Sequence, residues 1–129
     1  MDHDFVVRII LENLEGKVLF LQRADSSYGG GKLCLPGGKA FERENPAHAA
    51  ERELLEETGI SPRVMEEIFR QGETLYFHSW LTGKTGVKLN EEYSAFIWLF
   101  PEEMKGYKIA FGNDDSVRRY LRFGRNPKI

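Results

Sequence analysis

The stretch Gly38-Lys39-Ala40-Phe41-Glu42-Arg43-Glu44-Asn45-Pro46-Ala47-His48-Ala49-Ala50-Glu51-Arg52-Glu53-Leu54-Leu55-Glu56-Glu57-Thr58-Gly59-Ile60 contains a helix with both its ends and a concentration of carboxylates. Asn45 is a good N-cap, and Pro46 suits the first helical position, where its missing N–H costs nothing. Gly59 suits the left-handed position past the last turn, and Pro62 forbids resumption. These signals predict a helix over residues 46–58. Within and before it lie Glu42, Glu44, Glu51, Glu53, Glu56 and Glu57. At about 100° per residue, Glu53, Glu56 and Glu57 share an arc of roughly 100°, beside Ala49 and Ala50, which are small enough to leave the neighbourhood open. A run of charges is ordinarily a solvated face. Two carboxylates about 6 Å apart, however, repel by roughly 3 kcal/mol at an effective dielectric near 20. Arg52, facing Glu56 at i+4, returns only about 0.3 to 0.5 kcal/mol as an exposed pair. The cluster therefore calls for a proton or a cation, and hard oxygen donors at this density suit Mg²⁺ or Mn²⁺ bridging to substrate phosphates.

Working outward, Phe5 to Glu12 and Lys17 to Gln22 are β-rich runs around the polar turn Asn13-Leu14-Glu15-Gly16, a hairpin signature. Ser26 to Lys32 reads as a flexible loop, and Leu33 to Leu35 as a short strand ended by Pro36-Gly37-Gly38. Strands are expected at Val64 to Arg70, Thr74 to Leu81 and Ser94 to Phe100. A last helix is expected near Asp114 to Phe123, capped by Asn113 or Asp114, with Val117, Tyr120 and Leu121 as its apolar stripe. Alternation of strands and helices without repeats or linkers gives one mixed α/β or α+β unit over residues 1–129.

The 129 residues fit a single domain, and 41% hydrophobic residues supply a core. Eighteen Lys and Arg against 20 Asp and Glu leave a net charge of −2, which favours neither a nucleic acid nor an anionic membrane as partner. The single Cys34 makes no internal disulfide and fits a reducing, cytoplasmic setting, where it reads as a small core residue. The acidic start Met1-Asp2-His3-Asp4 and the short run from Phe5 to Leu11, interrupted by Arg8, support neither export nor membrane spanning.

From Gly38, five residues lead to Glu44 and seven more to Arg52-Glu53-Leu54-Leu55-Glu56-Glu57-Thr58-Gly59-Ile60. This resembles the complete Nudix box, GX5EX7REUXEEXGU with U aliphatic. The resemblance implies an α/β/α sandwich around a mixed sheet, and Mg²⁺- or Mn²⁺-dependent hydrolysis of a nucleoside diphosphate linked to a further group. It implies that Glu53, Glu56 and Glu57 ligate the metal with a Gly37 or Gly38 carbonyl, that Arg52 pairs with Glu44, and that Gly59 ends the helix. A carboxylate takes the proton of the attacking water; Glu53 is the first choice. Asn90-Glu91-Glu92-Tyr93 before Trp98 resembles the family's acidic loop, in which Glu92 is the best match to a further metal-approaching glutamate and Glu91 the next. A plain polar loop is the alternative. Tyr93 stands where relatives often carry His.

The segment from Arg23-Ala24 to Pro36-Gly37-Gly38-Lys39 resembles the MutT-type branch of the family, which acts on nucleoside triphosphates to give the monophosphate and pyrophosphate. On that resemblance Arg23 and Lys39 contact the substrate and Leu35 lines a base pocket. Asn113 either hydrogen-bonds the base or is simply a helix cap. Tyr76 sits roughly where dinucleoside-polyphosphate hydrolases of the family carry a tyrosine, and otherwise reads as packing. The basic residues Arg118, Arg119, Arg122, Arg125 and Lys128 read as a solvated helix end, with RNA binding as the minor alternative. A nucleotide-sugar or dinucleoside polyphosphate hydrolase and a non-catalytic nucleotide sensor are the competing functions. Homodimers are common in the family, but the sequence locates no interface.

Overall fold

The computed structural model describes residues 5–24, 30–62, 64–83 and 86–124. The elements are β1 (Val6–Asn13), β2 (Val18–Arg23), β3 (Leu33–Cys34), β4 (Gly37–Lys39), α1 (Pro46–Thr58), β5 (Glu66–Gln71), β6 (Thr74–Leu81) and β7 (Tyr93–Leu99). A 3₁₀ segment, Pro101–Gly106, then precedes α2 (Asn113–Arg119) and a π turn, Tyr120–Gly124. Most of the expected loop at 26–32 lies outside the described residues, as do Arg125 and Lys128 of the basic end.

The seven strands form one mixed sheet. β1 lies parallel to β6 in the register Val6↔Thr74 to Asn13↔Leu81, and β5 closes that side antiparallel to β6. The hairpin strands β1 and β2 pair antiparallel at Glu12↔Val18, beside their turn, and then diverge. The chain from Leu33 to Lys39 fills the gap, with β3 on β2 and β4 on β1, and β7 flanks β2 on its other edge. Pro36-Gly37-Gly38 is therefore not only a strand end, as the sequence suggests, but the start of β4. Gly37 pairs with Arg8, and a Cβ there would collide with the Val7 carbonyl, so no side chain is compatible with this approach.

Alternation along β1 sends Val7, Ile9 and Leu11 to one face and Ile10 to the other. On the first face they pack with Ala49, Ala50 and Leu54 of α1. On the second, Ile10, Phe20 and Leu35 pack with Met104, Val117 and Tyr120 from the C-terminal helical segments. Helical layers thus cover both faces, the sandwich that the box resemblance implies. Ala49 and Ala50 are fully buried. Their small size does not open space beside the carboxylates, as the helical arc suggested, but lets α1 sit close on the sheet.

α1 has the expected bounds. The Asn45 side chain accepts from the Ala47 and His48 N–H groups, and Gly59 takes φ 75° while its N–H reaches the Leu55 carbonyl. The start of α2 differs from expectation: neither Asn113 nor Asp114 caps it. Gly112, at φ 66°, occupies the cap position, and Asn113 is already helical with its side chain turned into the interior.

Candidate active site

α1 runs over the sheet so that its carboxylates meet the start of β4. The Glu57 side chain enters the interior, where its Oε1 accepts from the Gly37 N–H at 2.9 Å and its Oε2 from the Tyr93 hydroxyl at 3.0 Å. Burial pushes the Glu57 carboxyl up to about 8; the neighbouring Glu53 charge adds to this, while the Gly37 N–H bond pulls it back. Glu53 is also raised, chiefly by burial, with Arg52 opposing and Glu56 reinforcing. The charge of Glu92 raises both Glu53 and Glu57, which places this loop glutamate in their electrostatic neighbourhood. The loop is tied down by the Ala24 N–H on the Glu92 carbonyl and the Glu92 N–H on the Asn90 side chain.

Arg52 organises the rim. Its Nε and Nη2 grip the two Glu44 oxygens at 2.8 and 3.0 Å, the pairing the box implies. Nη2 also donates to the Lys39 carbonyl at 3.2 Å, and Nη1 to Glu53 and Glu56, each at 3.3 Å. The Phe41 ring lies under the guanidinium, 3.7 Å from its centroid. These bonds hold Glu44 down at about 2 and raise the Arg52 pKa further. Glu44 and Arg52 clasp the loop between β4 and α1, while the Lys39 side chain is exposed.

Among the described residues no three His, Cys, Asp or Glu side chains converge on one point able to hold an ion. The donor set nevertheless fits a hard divalent cation. All the donors are oxygens, and two of them are carboxyls held above their ordinary range chiefly by burial, with neighbouring carboxylates adding to it. The Glu53 carboxylate also lies directly against Gly38, where an added Cβ would stand 2.7 Å from its Oε2. Glycine at 38 keeps that side chain and its backbone in close approach. Glu56 is exposed and turned to Arg52.

The residues expected to contact a nucleotide divide into two groups. Leu35 and Asn113 are fully buried. The Asn113 Oδ1 accepts from the Leu35 N–H at 2.9 Å and its Nδ2 donates to the Tyr76 hydroxyl at 3.3 Å, so they brace the sheet against α2 from inside. Tyr76 itself is packed on Phe69. Arg23 reaches a surface formed by the rings of Tyr93 and Phe111, 5.9 and 5.3 Å from its guanidinium. Three residues in contact with these groups escaped the sequence reading. Tyr93 appeared there only as a departure from a family pattern. Arg8 was an interruption in an apolar run, and Phe111 carried no motif, although it adopts φ 62°.

The NUDIX domain family matches residues 2–120. The chain is 33% identical over 111 residues to the CTP pyrophosphohydrolase of Escherichia coli, covering 81% of this chain and 82% of that one. It is 39% identical over 54 residues, 42% of each chain, to the 8-oxo-dGTP diphosphatase of the same bacterium. A MutT protein from Methanosarcina mazei superposes with a TM-score of 0.74 at 26% identity, over 94% of both chains. Box geometry, family match and full-length likeness agree: the chain belongs to the Nudix family of hydrolases.

Proposed function

We propose that the protein hydrolyses nucleoside triphosphates to the monophosphate and pyrophosphate with Mg²⁺, or Mn²⁺ in its place. The observation that carries this reading is the crowding of Glu53 and Glu57 against Gly37 and Gly38, a carboxylate pair that Arg52, shared with Glu44 and Glu56, compensates only in part. Glu53, Glu56 and Glu57 would hold it, with a Gly37 or Gly38 carbonyl and Glu92 as further oxygens. A divalent cation bound there withdraws charge from the diphosphate and makes the attacking water more acidic. Glu53 accepts the water proton. Tyr93 and the Gly37 amide fix Glu57, Arg52 keeps the loop clasped through Glu44, and Arg23 with Lys39 supplies positive charge for the phosphates. Two relatives named as a CTP pyrophosphohydrolase and an 8-oxo-dGTP diphosphatase support a triphosphate over a nucleotide sugar.

The test is a panel of nucleoside triphosphates, nucleotide sugars and dinucleoside polyphosphates, with pyrophosphate and phosphate detected separately. Pyrophosphate release from triphosphates, abolished by a chelator, is expected. A folded Glu56→Gln variant should lose about a thousandfold or more of that turnover. Retained turnover would remove Glu56 from the site, and binding without product would favour the sensor.

A further inference from the structure

Arg8 sits in the middle of β1 and is only 9% exposed. Strand alternation turns it away from α1, to the face that carries Ile10, Leu35 and Asn113. Its Nη1 donates to the Leu35 carbonyl at 3.0 Å, and its guanidinium lies 4.8 Å from the centroid of the Phe111 ring. Among the described residues these are the only hydrogen-bond and ring contacts of this side chain, and no carboxylate of those residues pairs with it. A guanidinium has five donors, and covering it without acceptors is costly. The unused donors are not sealed off, because no nitrogen of Arg8 is among the fully buried unpartnered atoms. Committing Nη1 to Leu35 leaves Nε–H and Nη2–H side by side, a fork for two neighbouring acceptors.

The position favours a nucleobase over a phosphate as the occupant. Arg8 pairs with Gly37 on the neighbouring strand, and the Gly37 N–H holds Glu57 on the opposite face. A nucleotide whose diphosphate lies at the carboxylates can therefore pass its base around β4 to the Arg8 side. The Phe111 ring lies there, in contact with both Arg8 and Arg23. We propose, resting on the triphosphate hydrolysis argued above, that Arg8 determines base specificity. Its fork selects an edge with two adjacent acceptors, O2 and N3 of cytosine or O6 and N7 of guanine. Adenine sets a donor beside N7 and uracil sets N3–H between its carbonyls, so neither satisfies the fork. Leu35 and Asn113 are positioning residues that fix the guanidinium.

The experiment compares kcat/KM for CTP, GTP, UTP and ATP in wild type, Arg8→Lys, which keeps charge and stem, and Arg8→Gln. Circular dichroism checks that each variant is folded. Wild type should prefer CTP or GTP, and whichever leads identifies the edge. Both variants should lower that preference about 10- to 100-fold, with UTP and ATP changed less than about threefold. An unchanged preference, or an equal loss on all four, which marks a phosphate contact or a structural role, overturns the proposal. Should wild type hydrolyse none of the four, the hydrolysis reading fails by itself. Dissociation constants for CMP, GMP, UMP and AMP in wild type and Arg8→Lys then decide. A preference for CMP or GMP lost in the variant supports Arg8, and equal binding of all four overturns it.

Discussion

Glu57→Gln tests whether the buried carboxyl is a burden on the fold that a bound cation relieves. The side chain is 1% exposed and its pKa is raised from an ordinary 4.5 to about 8. A folded state that prefers the protonated acid gains full stability from it below pH 4.5 and loses that gain as pH rises through 8. The distance between the two values corresponds to about 5 kcal/mol at most, and to about 3 to 5 once coupling to Glu53 is shared out. In a domain of this size that is a melting shift of about 10 to 20 °C. The carboxamide of the variant can still accept from the Gly37 N–H and donate to the Tyr93 oxygen, so the substitution removes the titration and keeps the shape. In chelator, the wild type should melt progressively lower from about pH 5 to about pH 9, by about 10 to 20 °C more than Glu57→Gln over the same range. Adding Mg²⁺ at about pH 9 should restore much of this in the wild type, because a ligand that binds only the folded state stabilises it, and little in the variant. Thermal melts by circular dichroism give all four curves. Parallel pH dependence in wild type and variant would refute the reasoning, since Glu57 would then not be the group that titrates.

Gly38→Ala should cost about 1 to 3 kcal/mol in urea denaturation and far more in turnover, because the methyl pushes against the Glu53 carboxylate and not against core packing. A variant with normal kcat would show that this close approach is not needed. Asn113→Ala strands the buried Leu35 N–H and should destabilise by about 1 to 3 kcal/mol; a loss below about 0.5 kcal/mol would mean that water replaces the carboxamide.

The helix over 46–58 was legible because both its ends are set by neighbouring residues: Asn45 and Pro46 at the start, Gly59 and Pro62 after the end. The Glu44–Arg52 clasp came from the resemblance to the Nudix box, whose residues all lie in one segment. What local pattern could not supply was whatever depends on distant strands. Pro36-Gly37-Gly38 has the chemistry of a turn, and becomes β4 only because β1 and β2 diverge and leave a gap. Asn113 has the chemistry of a cap, yet the Leu35 amide, 78 residues away in sequence, claims its oxygen. Arg8 lies in a strand read for its apolar residues, and its importance depends on Leu35 and Phe111 arriving beside it. The parallel register of β1 with β6 has no local signature at all.

The Arg52 guanidinium makes five hydrogen bonds, two to Glu44 and one each to Lys39, Glu53 and Glu56, a number equal to its N–H donors. Glu53 and Glu56 therefore already have a cation. If they hold a divalent ion, as we propose, they must release Nη1, while Glu44 and the Lys39 carbonyl keep the arginine in place. Loading would then be a swap of partners and not the filling of an empty cage, with part of the attraction for the incoming ion cancelled by the one it displaces. Such a site is suited to fast exchange. The resident arginine is ready to retake both carboxylates when an ion leaves, and the helix returns to the same state for the next turnover.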